Sequence, residues 1–132
     1  MNEKTRALVE YRLEQAERSL GSSKTLLDGG DLPGSVNRSY YAMFYAVLAL
    51  LAREGTGTSK HAGAVALFGR DFVRKGIFPE HFGRWMRAAF DLRLRADYRE
   101  FFAITQDQAQ EALSHATEFL AAIRRELGTE DE

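Results

Sequence analysis

Asn37-Arg38-Ser39-Tyr40-Tyr41-Ala42-Met43-Phe44-Tyr45 is the stretch that decides how this chain is read. It sets one guanidinium and three tyrosines into an apolar run that continues to Leu51. At 3.6 residues per turn, Tyr40, Phe44, Val47 and Leu51 share one side of a helix. Arg38, Tyr41, Ala42, Tyr45, Ala49 and Ala52 take the opposite side. Neither side is a solvent face, so this helix is expected at the centre, covered by its own bundle and by something further. A guanidinium at its mouth needs a partner, because an unpaired buried charge is costly. Two readings follow: an arginine paired across a bundle among core aromatics, or a binding cleft. The alanines at 42, 49 and 52, with Tyr45, would let another helix approach closely, from the same chain or a second copy.

Working outward, an apolar stripe at Leu8, Val9, Leu13, Ala16, Leu20 and Leu27 predicts a first helix from about Glu3 to Leu27. Gly21-Ser22-Ser23 is expected to weaken or bend it, and Gly29-Gly30 to end it. Asp31 and Pro33 open the central helix, which closes at Glu54. Ser59 is placed to cap a third helix running from Lys60 to about Arg74, stopped at Lys75-Gly76. A fourth runs from Pro79 to Tyr98, with the lone Trp85 in the core and His81 and His115 on exposed sides. Thr105 caps a last helix whose stripe is Ala109, Ala112, Leu113, Ala116, Phe119, Leu120 and Ile123, and Gly128 ends it. The expectation is an all-α, up-and-down bundle of four long helices plus a shorter one. Residues 1–128 form a single domain and 129–132 an acidic disordered tail.

Composition narrows the function classes. A chain of 132 residues is long enough for one proper core. It has no cysteine, which removes disulfides, thiolate metal sites and thiol nucleophiles. A net charge of -1 gives no global pull towards nucleic acid, so RNA binding would need a local patch. The longest apolar run, Tyr40 to Ala52, is too short to span a bilayer, so no membrane role and a cytoplasmic location are expected. The three histidines share no metal-ligand spacing, and neither metal nor cofactor is expected. Gly55 and Gly57 lack the lysine and Ser/Thr spacing of a phosphate loop.

The order of motifs is a long helix, Asn37 to Phe44, Lys60-His61-Ala62-Gly63, and Ala66-Leu67-Phe68-Gly69. Asp91-Leu92-Arg93-Leu94-Arg95-Ala96-Asp97-Tyr98 and an amphipathic last helix follow. This order resembles the HEPN domain (higher eukaryotes and prokaryotes nucleotide-binding) in its compact stand-alone prokaryotic form. The resemblance covers nearly the whole chain. It implies a helical homodimer with a cleft at the interface, and often a minimal nucleotidyltransferase as partner in a toxin-antitoxin pair. Active members are metal-independent ribonucleases built on an Arg, four to six residues, then a His. A Tyr two residues beyond that His can be adenylylated by the partner.

This sequence departs from that motif. With Tyr98 at the tyrosine position, Ala96 stands for the histidine and Asp91 for the arginine. Ala96 cannot move a proton and Asp91 would repel a phosphate, so the usual ribonuclease is not expected. Other residues could serve the site. His61, at a helix start, is the one histidine in a family-matching position, with Lys60 beside it. Arg93 and Asp97, four apart, read first as a structural ion pair, and otherwise as a phosphate ligand and its orienting acid. From Arg84 to Arg99, five arginines face two aspartates, the most basic stretch of the chain, read first as a solvated face.

The leading expectation is an interaction module: a homodimeric partner of a nucleotidyltransferase that binds nucleotide or RNA. Its ligand residues would be Arg38, Tyr41, Tyr45, Lys60, His61, Arg93, Asp97 and Tyr98, with Tyr98 also the modification candidate. The alternatives are an unorthodox metal-independent endoribonuclease using Arg38, His61 and Arg93, and a small-ligand sensor with a pocket near Tyr41 and Tyr45.

Overall fold

The computed structural model describes residues 1–56, 61–98 and 103–128. It contains α1 (Glu3–Asp28), α2 (Leu32–Arg53), α3 (His61–Phe68), a π-helical turn (Gly69–Val73), α4 (Glu80–Asp97) and α5 (Gln106–Leu127). No strand occurs among the described residues. The architecture is the expected all-α bundle. Ser59 and Lys60, Arg99 and the 129–132 tail lie outside the described residues.

Local signals set the helix ends. Asp31 caps α2 through a 2.9 Å hydrogen bond from the Gly34 amide, with Pro33 in the first turn. Thr105 and Gln108 form a reciprocal capping box on α5, and Gly128 closes that helix in the left-handed conformation. α1 runs unbroken through Gly21-Ser22-Ser23. The reason is tertiary: Ser23 is fully buried and its hydroxyl meets Ser35 and Ser39 of α2 at 3.0 and 2.7 Å. Serines read as a weak point therefore join two helices. The third helix also differs from expectation. It is α-helical only to Phe68, after which the Arg74 amide reaches the Gly69 carbonyl in a wider π turn. That turn keeps both Phe68 and Phe72 in the core.

α2 packs against the other four helices. Tyr40, Val47 and Leu51 are buried and Phe44 nearly so, as the periodicity requires. Ala42 and Ala49 on the other side are also fully buried within this chain, so the close approach they allow is intrachain. At the far end, Phe68, Phe72, Phe78, Phe82 and Phe119 pack ring on ring, with centroids from 5.2 to 6.3 Å apart. Leu8, expected on the α1 stripe, is instead exposed, because the buried side of α1 runs through Val9, Leu13 and Ala16 and leaves Leu8 beyond its edge.

Two more expectations change. Trp85 is half-buried, and His81 and His115 are not free surface groups: they hold its ring from two directions. His115 stacks on it at 4.0 Å and 6°, and His81 meets it edge-on at 4.7 Å. His115 arrives from α5, a contact no helical wheel of α4 could give.

Candidate functional site

α2 supplies Arg38, Tyr40, Tyr41, Phe44 and Tyr45, α3 begins with His61, and α4 brings Phe90 and Arg93. Their helical spacings make each set converge on one place. Tyr40 and Phe44, four apart, stack at 5.9 Å and form a wall. His61 lies flat on Phe44 at 4.3 Å and edge-on to Tyr41 at 5.4 Å. Tyr45 leans on Tyr41 at 5.8 Å. The Arg93 guanidinium sits over Tyr40 at 5.0 Å, Phe90 at 5.7 Å and Tyr41 at 5.9 Å. Arg38 lies over Tyr41 from another side, at 4.7 Å.

The Tyr40 hydroxyl and His61 Nδ1 are 2.8 Å apart. Tyr40 is fully buried and its phenol is pushed far above the ordinary range by that burial, so it keeps its proton. The hydroxyl needs an acceptor, and the partner it has is Nδ1. Tyr40 therefore donates to Nδ1, which leaves the His61 proton on Nε2. Burial, and then the nearby Arg93 charge, hold the His61 pKa below 6.5. His61 is thus a neutral imidazole near pH 7, with its ring plane fixed by Phe44.

The cations are the unusual part. Arg38 Nε and Nη2 both donate to its neighbour Asn37 Oδ1, at 3.0 and 2.8 Å. Arg93 Nη1 donates to the Tyr41 hydroxyl at 3.3 Å, and its buried Nε has no hydrogen-bond partner. Among the described residues neither arginine has a carboxylate partner. The expected Arg93–Asp97 ion pair is not formed. Asp97 stands exposed in the last turn of α4 while Arg93 turns inward onto the tyrosines. Two guanidinium groups therefore meet around one tyrosine ring with no carboxylate to answer them among the described residues.

Of the residues read from the sequence, Arg38, Tyr41, Tyr45, His61 and Arg93 come together. Lys60 lies outside the described residues. Asp97 and Tyr98 are left out of the cluster, and Tyr98 is 61% exposed. Ala96, at the motif's histidine position, points into a small core patch with Leu27, Val36 and Ala109. A histidine there would displace packing rather than face a cleft. Sequence reading missed Tyr40, Phe44 and Phe90 as the walls of the site. Their apolar spacing was legible, but it marks a core face as readily as a cleft wall. No group of three or more His, Asp or Glu side chains among the described residues converges to hold a metal ion. No helix among them is long and apolar enough to cross a membrane.

The model of the HEPN domain family matches residues 9–126. A "UPF0332 protein" of Thermotoga maritima is 37% identical over 125 residues, covering 95% of this chain and 94% of its own length. "Putative toxin MJ0605" of Methanocaldococcus jannaschii is 32% identical over 127 residues, 96% of this chain and 94% of its own length. A second protein of that organism, "Putative toxin MJ0142", is 29% identical over 119 residues, 90% of this chain and 81% of its own length.

Proposed function

We propose, for a chain that belongs to the HEPN domain family, that it works as the homodimeric partner of a minimal nucleotidyltransferase in a toxin-antitoxin-like pair in the cytoplasm. Its aromatic and guanidinium cluster binds the phosphate of a nucleotide or RNA. The observation that carries this is the pair of arginines, Arg38 and Arg93, around Tyr41 with no carboxylate partner among the described residues. A half-buried cation with a buried, unbonded Nε is costly unless something from outside the fold supplies the anion. Arginine's planar fork suits phosphate, and the aromatic walls suit a base. Two relatives bear toxin names, which supports the toxin-antitoxin setting. Ala96 and Asp91, at the positions of the motif's histidine and arginine, support binding over the usual ribonuclease chemistry.

The test is a light-scattering mass, co-purification with a nucleotidyltransferase encoded beside the gene, and calorimetric titration with nucleotide. A dimer that captures the partner and loses nucleotide binding in Arg93→Met is expected. A monomer with no affinity for nucleotide or partner would sink the proposal. Mass spectrometry after co-expression tests Tyr98, whose exposure leaves it open to a modifying enzyme.

A second reading has one observation behind it: Arg38, His61 and Arg93 all meet around Tyr41. Two guanidinium groups and the Nε2–H of a neutral imidazole can answer the charge of a phosphodiester, and a general base role for His61 requires the Tyr40 hydroxyl to leave Nδ1. RNA cleavage in EDTA by wild type, lost in His61→Ala, would favour this endoribonuclease. Intact RNA with well-folded protein would reject it.

A further inference from the structure

A groove of about 940 Å³ opens between α3 with its π-helical turn and α4. Ala62, Val65, Ala66, Val73 and Phe90 line its apolar part. α3 itself carries no charged side chain, and Ala62 and Ala66 are left exposed there. Arg70, Arg74, Arg84 and Arg87 stand along it against Glu80 and Asp91, a net of +2 for the lining. Arg70 is already engaged by Asp71, at 2.7 and 3.0 Å. Arg74, Arg84 and Arg87 are exposed and have no partner among the described residues.

The groove borders the cluster described above through one shared residue. Phe90 lines it and also lies under the Arg93 guanidinium. Ala62, also in the lining, directly follows His61 in the chain. We infer that the groove is the track of a single-stranded RNA, with Arg84, Arg87 and Arg74 on successive phosphates and Arg93 on the phosphate at the inner end. This rests on the reading of the cluster as a phosphate site, and it names RNA rather than a mononucleotide as the ligand. The span of α4 from Glu80 to Asp91 is about 16 Å at 1.5 Å per residue, enough for about five stacked nucleotides. The apolar floor offers the bases a dry surface, and Phe90 a ring to stack on. An acidic protein helix would answer the outer arginines. A strand with regularly spaced phosphates answers those and Arg93 together, which favours RNA.

The experiment is fluorescence anisotropy with a labelled oligouridylate of about eight nucleotides, within the site sizes of such binders. Titrations with unlabelled uridine monophosphate run in parallel. Wild-type protein should bind the oligomer, more weakly as salt rises. Arg84→Ala/Arg87→Ala should weaken binding about tenfold and lower the salt slope by about 1.4. Lys24→Ala/Arg125→Ala makes the same charge change elsewhere and should alter binding by less than about twofold. Monophosphate binding should survive the groove substitutions and fail in Arg93→Met. Arg84 and Arg87 are exposed, so their variant should melt as wild type does.

Oligomer binding unchanged in the groove variant but lost in Arg93→Met would overturn the track and leave the cluster standing. Monophosphate binding without oligomer binding would do the same. Failure of both ligands on folded wild type would bring down the track and the nucleotide reading together. Groove substitutions that release a protein partner while sparing RNA would overturn the track in favour of an acidic protein segment.

Discussion

Ser39 and Tyr40 are neighbours in α2, yet they belong to two polar clusters of opposite kinds. On the α1 side, Ser23, Ser35 and Ser39 are buried and close on one another. Ser23 Oγ donates to the Ser35 carbonyl at 2.8 Å and Ser35 Oγ to the Ser23 carbonyl at 2.9 Å. With Ser39 donating to Ser23 Oγ at 2.7 Å, every hydroxyl proton has an acceptor. On the α4 side, Tyr40 is satisfied by His61, but Arg93 keeps a buried nitrogen unbonded and Arg38 has only its neighbour's amide. A polar cluster that satisfies itself on folding acts as an adhesive between helices. One that folding leaves incomplete keeps hydrogen-bonding capacity for a group from outside the fold.

That contrast can be broken by experiment. Ser39→Leu should have the largest effect, since it overfills the α1–α2 contact and removes the hydrogen bond that Ser39 donates to Ser23 Oγ. A loss of about 3 kcal/mol is expected in urea unfolding. A loss under about 1 kcal/mol would mean the serine cluster is not tightly packed. Ser23→Ala removes the shared partner more gently and should cost about 1–2 kcal/mol, with nucleotide binding unchanged.

Arg93→Met is the mirror of these. It removes an unanswered cation while keeping the side chain's volume, so stability should hold or rise by up to about 1 kcal/mol. Nucleotide titration should show binding abolished. A clear destabilisation would mean the fold itself satisfies Arg93, and the contrast would fail.

The smallest effect is the pH dependence from His61. Its folded pKa is lowered, by burial first and Arg93 second, so the unfolded chain binds the proton more readily. The stability this gives is present above pH 6.5 and is lost as pH falls through the folded value. Protonation would also turn Nδ1 into a donor and strand the Tyr40 proton. Urea midpoints across that range should fall with acidity in wild type and be flatter in His61→Phe, which keeps the stack on Phe44. An equal slope in both would place the titration elsewhere.

Much of the fold was legible in the residues because helix ends are local. Asp31, Thr105 and Gly128 each satisfy amides or carbonyls within a few positions, so spacing alone reveals them. The site was half legible. Arg38, Tyr41, Tyr45, His61 and Arg93 could be singled out by their chemistry. Their assembly could not, because Arg93 meets Tyr41 across 52 positions of sequence and Tyr40 meets His61 across 21. The same limit misplaced His115, which reaches Trp85 from another helix, and made Ser23 look like a flaw in α1.

By itself the sequence determined an all-α bundle and a buried central helix. Periodicity, capping and residue identity act over a turn or two of chain, so they can be read without coordinates. Tertiary structure decided which partner each polar group finds. It turned Arg93 away from Asp97 and onto the tyrosines, set Ala96 into the core, and opened a basic groove beside His61. Hydrogen bonds and cation–aromatic contacts depend on ångström distances between helices, and only packing fixes those.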